Sequence, residues 1–85
     1  MKKWIDLVEF DPAKRESRVV AHCVLEDGKV RIDGKPWMLK RLEGGITDFT
    51  AKKNIRPEDG EEFLNAIHRE FHSAYLSATD IQEDE

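Results

Sequence analysis

Asp27-Gly28 stands between two runs of alternating apolar and polar residues, and this arrangement confines the middle of the chain to a β-hairpin. Both central positions of a two-residue type I′ turn need a positive φ, which Asp tolerates and Gly adopts freely. Upstream, Val19, Ala21, Cys23 and Leu25 alternate with Arg18, Val20, His22 and Val24; downstream, Val30 and Ile32 alternate with Lys29, Arg31 and Asp33. With Asp27-Gly28 as the loop, Leu25 faces Val30 and Cys23 faces Ile32 on one side of the ribbon. Glu26 then meets Lys29, Val24 meets Arg31 and His22 meets Asp33 on the other. A slip of one residue would mix the two faces, so burial and turn geometry demand the same register.

The flanking segments extend this unit. Residues 4–10 alternate as a further strand, with Ile5 and Leu7 on one face and Trp4, Val8 and Phe10 on the other. Asp11-Pro12 ends it. Gly34-Lys35-Pro36 breaks the hairpin, and Trp37, Met38, Leu39 and Leu42 suit a short helix stopped by Gly44-Gly45. Residues 46–56 read as a polar loop or short strand anchored by Ile46, Phe49 and Ile55.

Pro57 suits the first turn of a helix, and Glu58, Asp59, Glu61 and Glu62 place negative charge where the helix dipole favours it. Asp59 as cap with Glu62 three residues on would make a capping box instead. On a helical wheel Phe63, Leu64, Ile67, Phe71, Ala74, Tyr75 and Ala78 share an arc of roughly 120°. The expectation is a two-layer α+β domain over residues 1–78: a three-stranded antiparallel sheet with a short helix and one long C-terminal amphipathic helix packed on it. Residues 79–85 read as an acidic flexible tail.

A chain of 85 residues holds one domain. Cys23 is the only cysteine, so no disulfide forms within the chain. No run approaches the ~18 apolar residues of a membrane span. Asp6 and Glu9 interrupt the apolar residues that follow Met1-Lys2-Lys3, unlike a signal peptide. The expected compartment is the cytoplasm. Charge is sorted by position: residues 29–56 carry eight basic against three acidic side chains, and residues 57–85 carry Arg69 against nine acidic ones. The two regions either neutralise each other or address partners of opposite sign.

Candidate chemistry is sparse. His68 and His72 have the four-residue spacing of a helical metal pair, but the residue after the first histidine is Arg69, not the glutamate of a zinc protease. They are weak metal candidates; ordinary surface and boundary histidines explain them as well. Cys23 falls on the apolar hairpin face and reads as a small core residue. His22 opposite Asp33 makes a His–acid pair with no nucleophile beside it. No catalytic set is complete and no cofactor is expected. Lys35, Lys40, Arg41, Lys52, Lys53 and Arg56, interleaved with Trp37 and Phe49, could form a basic patch for nucleic acid. A pI of about 5.4 opposes nucleic-acid affinity of the whole chain.

The stretch Pro57-Glu58-Asp59-Gly60-Glu61-Glu62-Phe63-Leu64, followed by Ser73-Ala74-Tyr75-Leu76-Ser77-Ala78, resembles a pattern in small uncharacterised bacterial proteins of similar size. The resemblance covers about the last third of the chain, and those proteins often have Thr or Ser where this one has Arg56. It implies a bacterial, cytoplasmic setting and no particular activity. The favoured reading is a soluble non-enzymatic protein-interaction module, self-associating or binding another protein, with Trp4, Val8, Phe10 and Leu76 as its surface. The alternative is a nucleic-acid-associated protein using residues 35–56.

Overall fold

A computed structural model describes residues 2–43 and 55–84. The elements are β1 (Lys2–Asp11), β2 (Glu16–Glu26), β3 (Lys29–Gly34), α1 (Pro36–Glu43), a 3-10 turn (Pro57–Asp59), α2 (Glu61–Glu70), β4 (Leu76–Ala78) and β5 (Gln82–Asp84). The strands form one antiparallel five-stranded sheet in the order β3-β2-β1-β4, with β5 also on β1.

The hairpin has the register its alternation demands: Leu25 pairs with Val30, Cys23 with Ile32, Val24 with Arg31 and His22 with Asp33. Asp27 and Gly28 both have positive φ, 52° and 79°, as the tight turn requires. The short helix after Pro36 is present as α1.

The three-stranded sheet with a long C-terminal helix is not what forms. α2 ends at Glu70 after ten residues, and the chain turns back to add β4 and β5 to the open margin of β1. Ser73 makes the reversal: its hydroxyl accepts the N–H groups of Leu76 (2.9 Å) and Tyr75 (3.3 Å) and donates to the Leu76 carbonyl. Such side-chain bonds offer the backbone an alternative to helix. Ala74, Tyr75 and Ala78 therefore lie beyond the helix whose wheel had grouped them.

Residues 79–84, expected as a frayed tail, continue the same margin. Thr79 exchanges two hydrogen bonds with the Asp6 backbone, N–H to carbonyl (2.9 Å) and hydroxyl from Asp6 N–H (3.0 Å), and β5 pairs with Lys2, Lys3 and Trp4. Together with the Phe10 N–H donated to the Tyr75 carbonyl, these contacts satisfy that margin of β1 from end to end.

β2 contains an irregularity that alternation alone does not show. Leu7 pairs with Ala21 but Val8 pairs with Val19, so Val20 is an extra residue. A bulge turns two successive side chains to one side and shifts the pleat beyond it. Val20 and Ala21 are accordingly both 1% exposed, while Val19 is turned out at 54%.

One core lies between the sheet and the helices. Ile5, Leu7, Val20, Ala21, Cys23, Val30 and Ile32 of the sheet meet Met38 and Leu42 of α1, and Phe63, Leu64, Ala66 and Ile67 of α2, with Phe71 at its end. Gly60 joins the 3-10 turn to α2 at φ 65°, and a Cβ there would stand 2.6 Å from the Gly28 carbonyl. The start of α2 is thus seated against the hairpin turn. No helix among the described residues is long and apolar enough to cross a membrane.

Candidate functional site

Both α-helices among the described residues pack on the inner face, and the other half of the alternation makes the outer one: Trp4, Asp6, Val8 and Phe10 of β1, Val19, His22 and Val24 of β2, and Arg31 and Asp33 of β3. Three zones follow from the register. At one end Trp4, Val24 and Arg31 stand in a row, with Val24 buried between its two neighbours. The middle row is polar: Asp6, His22 and Asp33 are successive cross-strand neighbours, and His22 Nδ1 lies 2.5 Å from Asp6 Oδ1. His22 thus pairs with Asp6 as well as facing Asp33, and no hydroxyl or thiol nucleophile stands in that row.

The third zone is apolar and exposed. Val8 pairs directly with Val19, Phe10 follows two residues on, and Phe10 N–H bonds the Tyr75 carbonyl at 2.9 Å. Phe10, Val19 and Tyr75 are 37%, 54% and 61% exposed. Singly exposed apolar side chains are ordinary; a contiguous group is not. Trp4, Val8 and Phe10 belong to this face, and Leu76 does not: paired with Glu9 on the opposite pleat, it packs half-buried against the core. Alternation missed Val19 because the bulge, visible only once β1 and β2 are paired residue by residue, reverses its side. It missed Tyr75 because the helical period grouped that residue with the core.

The other candidates are scattered. His72 lies beyond α2, so the pair His68 and His72 is not held on one helix; their rings meet edge to face at 5.9 Å, and His68 Nε2 is 3.5 Å from Asp80 Oδ1. Among the described residues no group of three or more His, Cys, Asp or Glu side chains is placed to hold a metal ion. Cys23 is buried in the core.

Lys35 and Lys40 are exposed at α1, and Arg56 is exposed before the 3-10 turn. Lys52, Lys53, Ile46, Phe49 and Gly44-Gly45 lie outside the described residues, as does the side chain of Arg41. Among the described residues, a cation at the acidic start of α2 is Lys3 of β1, which bonds Glu61. That hydrogen bond, then the charge of Glu61, holds the Lys3 ammonium above its ordinary value of 10.5, with Glu83 of β5 adding to it and partial desolvation opposing. Arg56 contributes its backbone N–H, donated to Asp59 Oδ2 at 2.8 Å.

No protein-family model, curated protein or solved structure matches the chain.

Proposed function

We propose that this chain is a small cytoplasmic, non-enzymatic protein-interaction module that docks a protein, a second copy included, through Val8, Phe10, Val19 and Tyr75. The carrying observation is the exposure of Phe10 and Val19 on neighbouring strands of a sheet whose opposite face holds the core, with the exposed Tyr75 joined to Phe10 through its carbonyl just ahead of β4. Burying such side chains is worth roughly 1.5–3 kcal/mol each, enough for a few to anchor a contact. The polar row Asp6–His22–Asp33 beside the strip supplies the rim that interfaces carry.

A photo-crosslinking amino acid at position 19 tests this in the native host, with position 69 as an exposed control on α2. Adducts to protein from position 19, absent from 69 and lost on Phe10→Ser, support the reading. A monomer in sedimentation with no adduct specific to position 19 would sink it. Retention of duplex DNA that collapses between about 50 and 200 mM salt would favour the nucleic-acid alternative, because phosphate contacts release counterions.

A further inference from the structure

We propose that the occupant of the apolar strip is a second copy of this chain, seated face to face about a two-fold axis at Phe10. This rests on the docking reading above and adds the partner. The strip belongs to an arm: residues 12–19, at the turn end of the β1–β2 hairpin, are exposed without exception. The two sides of that arm differ. Arg18 donates from Nε (3.0 Å) and Nη2 (2.8 Å) to Glu9 Oε1, and Asp11 stands opposite Glu16. These pairs alternate with Val8–Val19 and Phe10–Ser17, so the acidic side chains of the arm occupy the opposite pleat from the strip.

The strip has flanks of opposite sign. Beyond Phe10 comes the turn, where Asp11 Oδ1 accepts the N–H groups of Ala13 (3.0 Å) and Lys14 (3.4 Å). The side chains of Lys14 and Arg15 have no ion-pair partner among the described residues. Before Phe10 comes the row Asp6–His22–Asp33, with two carboxylates; Arg31 beside it is divided between Asp33 at 3.8 Å and Glu26 at 3.5 Å.

Asp6 precedes Phe10 by four residues, roughly 13 Å of strand, and Lys14 follows it by four, in the turn and so no farther out. A two-fold axis between two such faces, perpendicular to β1 at Phe10, lays β1 on β1 and β2 on β2 with their directions reversed. Phe10 then meets Phe10. Lys14 and Arg15, at the β2 side of the turn, stand over His22 of the other copy, with Asp6 and Asp33 on either side of it. Sheets packed face to face lie about 10 Å apart, a gap that these long side chains and the carboxylates close together. The two-fold makes the same contact twice, as an isologous interface must. An acidic partner would match the turn alone and a basic one the row alone; a second copy matches both.

The test follows the full chain by sedimentation equilibrium across a concentration series, at low and at high salt. It should dimerise, and less tightly as salt screens the flanks. Lys14→Glu with Arg15→Glu should weaken the dimer by about tenfold or more, and so should Asp6→Asn with Asp33→Lys. Asp33→Lys alone, at an exposed position, replaces the second pair if that variant fails to fold. Mixed in equal amounts, the turn variant and the row variant should associate more tightly than either does alone, because every flank contact in the mixed dimer again joins opposite charges. A chain that stays monomeric at low salt, a dimer indifferent to the turn substitutions, or a mixture no tighter than its components would overturn the proposal. A monomer that still gives protein adducts from position 19 would leave the docking reading standing with a different protein as partner; a monomer without them removes both.

Discussion

At the residue scale, four positions carry structure that their side-chain types alone do not announce. Gly60 combines a positive φ with a carbonyl at 2.6 Å from any added Cβ. Gly60→Ala should destabilise by about 1–3 kcal/mol in denaturant unfolding, through backbone strain and displacement of the hairpin turn. Val19 and Val20 are neighbours of the same type with opposite fates at the bulge. Val20→Ala should cost about 1–3 kcal/mol and Val19→Ala about 0.5 kcal/mol or less, and equal losses would mean that the bulge is placed wrongly. Lys3 is the residue whose titration is displaced. Its ammonium is favoured by the hydrogen bond it donates to Glu61, so its folded value lies above 10.5. The sign is then fixed: the pair supports the fold below the unfolded value and loses its effect as pH rises through the folded one. Lys3→Met should lower the melting temperature slightly at neutral pH and low salt, with the difference from wild type vanishing in strong alkali and shrinking with added salt.

At the scale of elements, legibility followed the reach of the forces involved. The hairpin was readable to the residue because turn chemistry and alternation are local and agree; Asp27-Gly28 and the pairs Leu25–Val30 and Cys23–Ile32 needed nothing from elsewhere in the chain. The end of α2 was not readable, because the decisive competitor is distant. The margin of β1 would otherwise be bare, and pairing it outweighs several more helical residues whose apolar spacing is favourable. Phe71, Ser73 and Leu76 test that balance. Phe71 caps α2 and is 6% exposed, so Phe71→Ala should cost about 3–5 kcal/mol. Leu76, half-buried against the core from β4, should cost about 1–2 kcal/mol on truncation, more than a solvent-facing position of a helix would. Ser73→Ala removes the hydroxyl that holds the reversal and should loosen β4, seen as faster exchange at Phe10 and Ala78 before any loss of helix signal. Of the candidate surface, Trp4, Val8 and Phe10 were legible as the second face of a strand, whereas Val19 and Tyr75 depended on a bulge and a reversal.

At the scale of the whole molecule, the C-terminal residues are what completes the sheet on the side of β1. The β1 margin is closed from within by Tyr75, β4, Thr79 and β5. Charge is arranged to match. Glu83 of β5 adds to the field of Glu61 around Lys3, so part of the acidic C-terminal excess is spent holding β1 rather than displayed. Removing residues 80–85 separates these roles. Because Asp6 and Phe10 donate towards this margin, Trp4, in phase with them, also turns its N–H outward from β2 towards β5. The truncated chain should exchange the Trp4 amide about tenfold or more faster, while Phe10 and the hairpin amides between β2 and β3 keep their protection. It should also gain a concentration-dependent tendency to associate, since a bare margin of β1 recruits strands from other copies. If Trp4 stays protected and the truncated chain remains monomeric, β5 contributes nothing to closing the sheet.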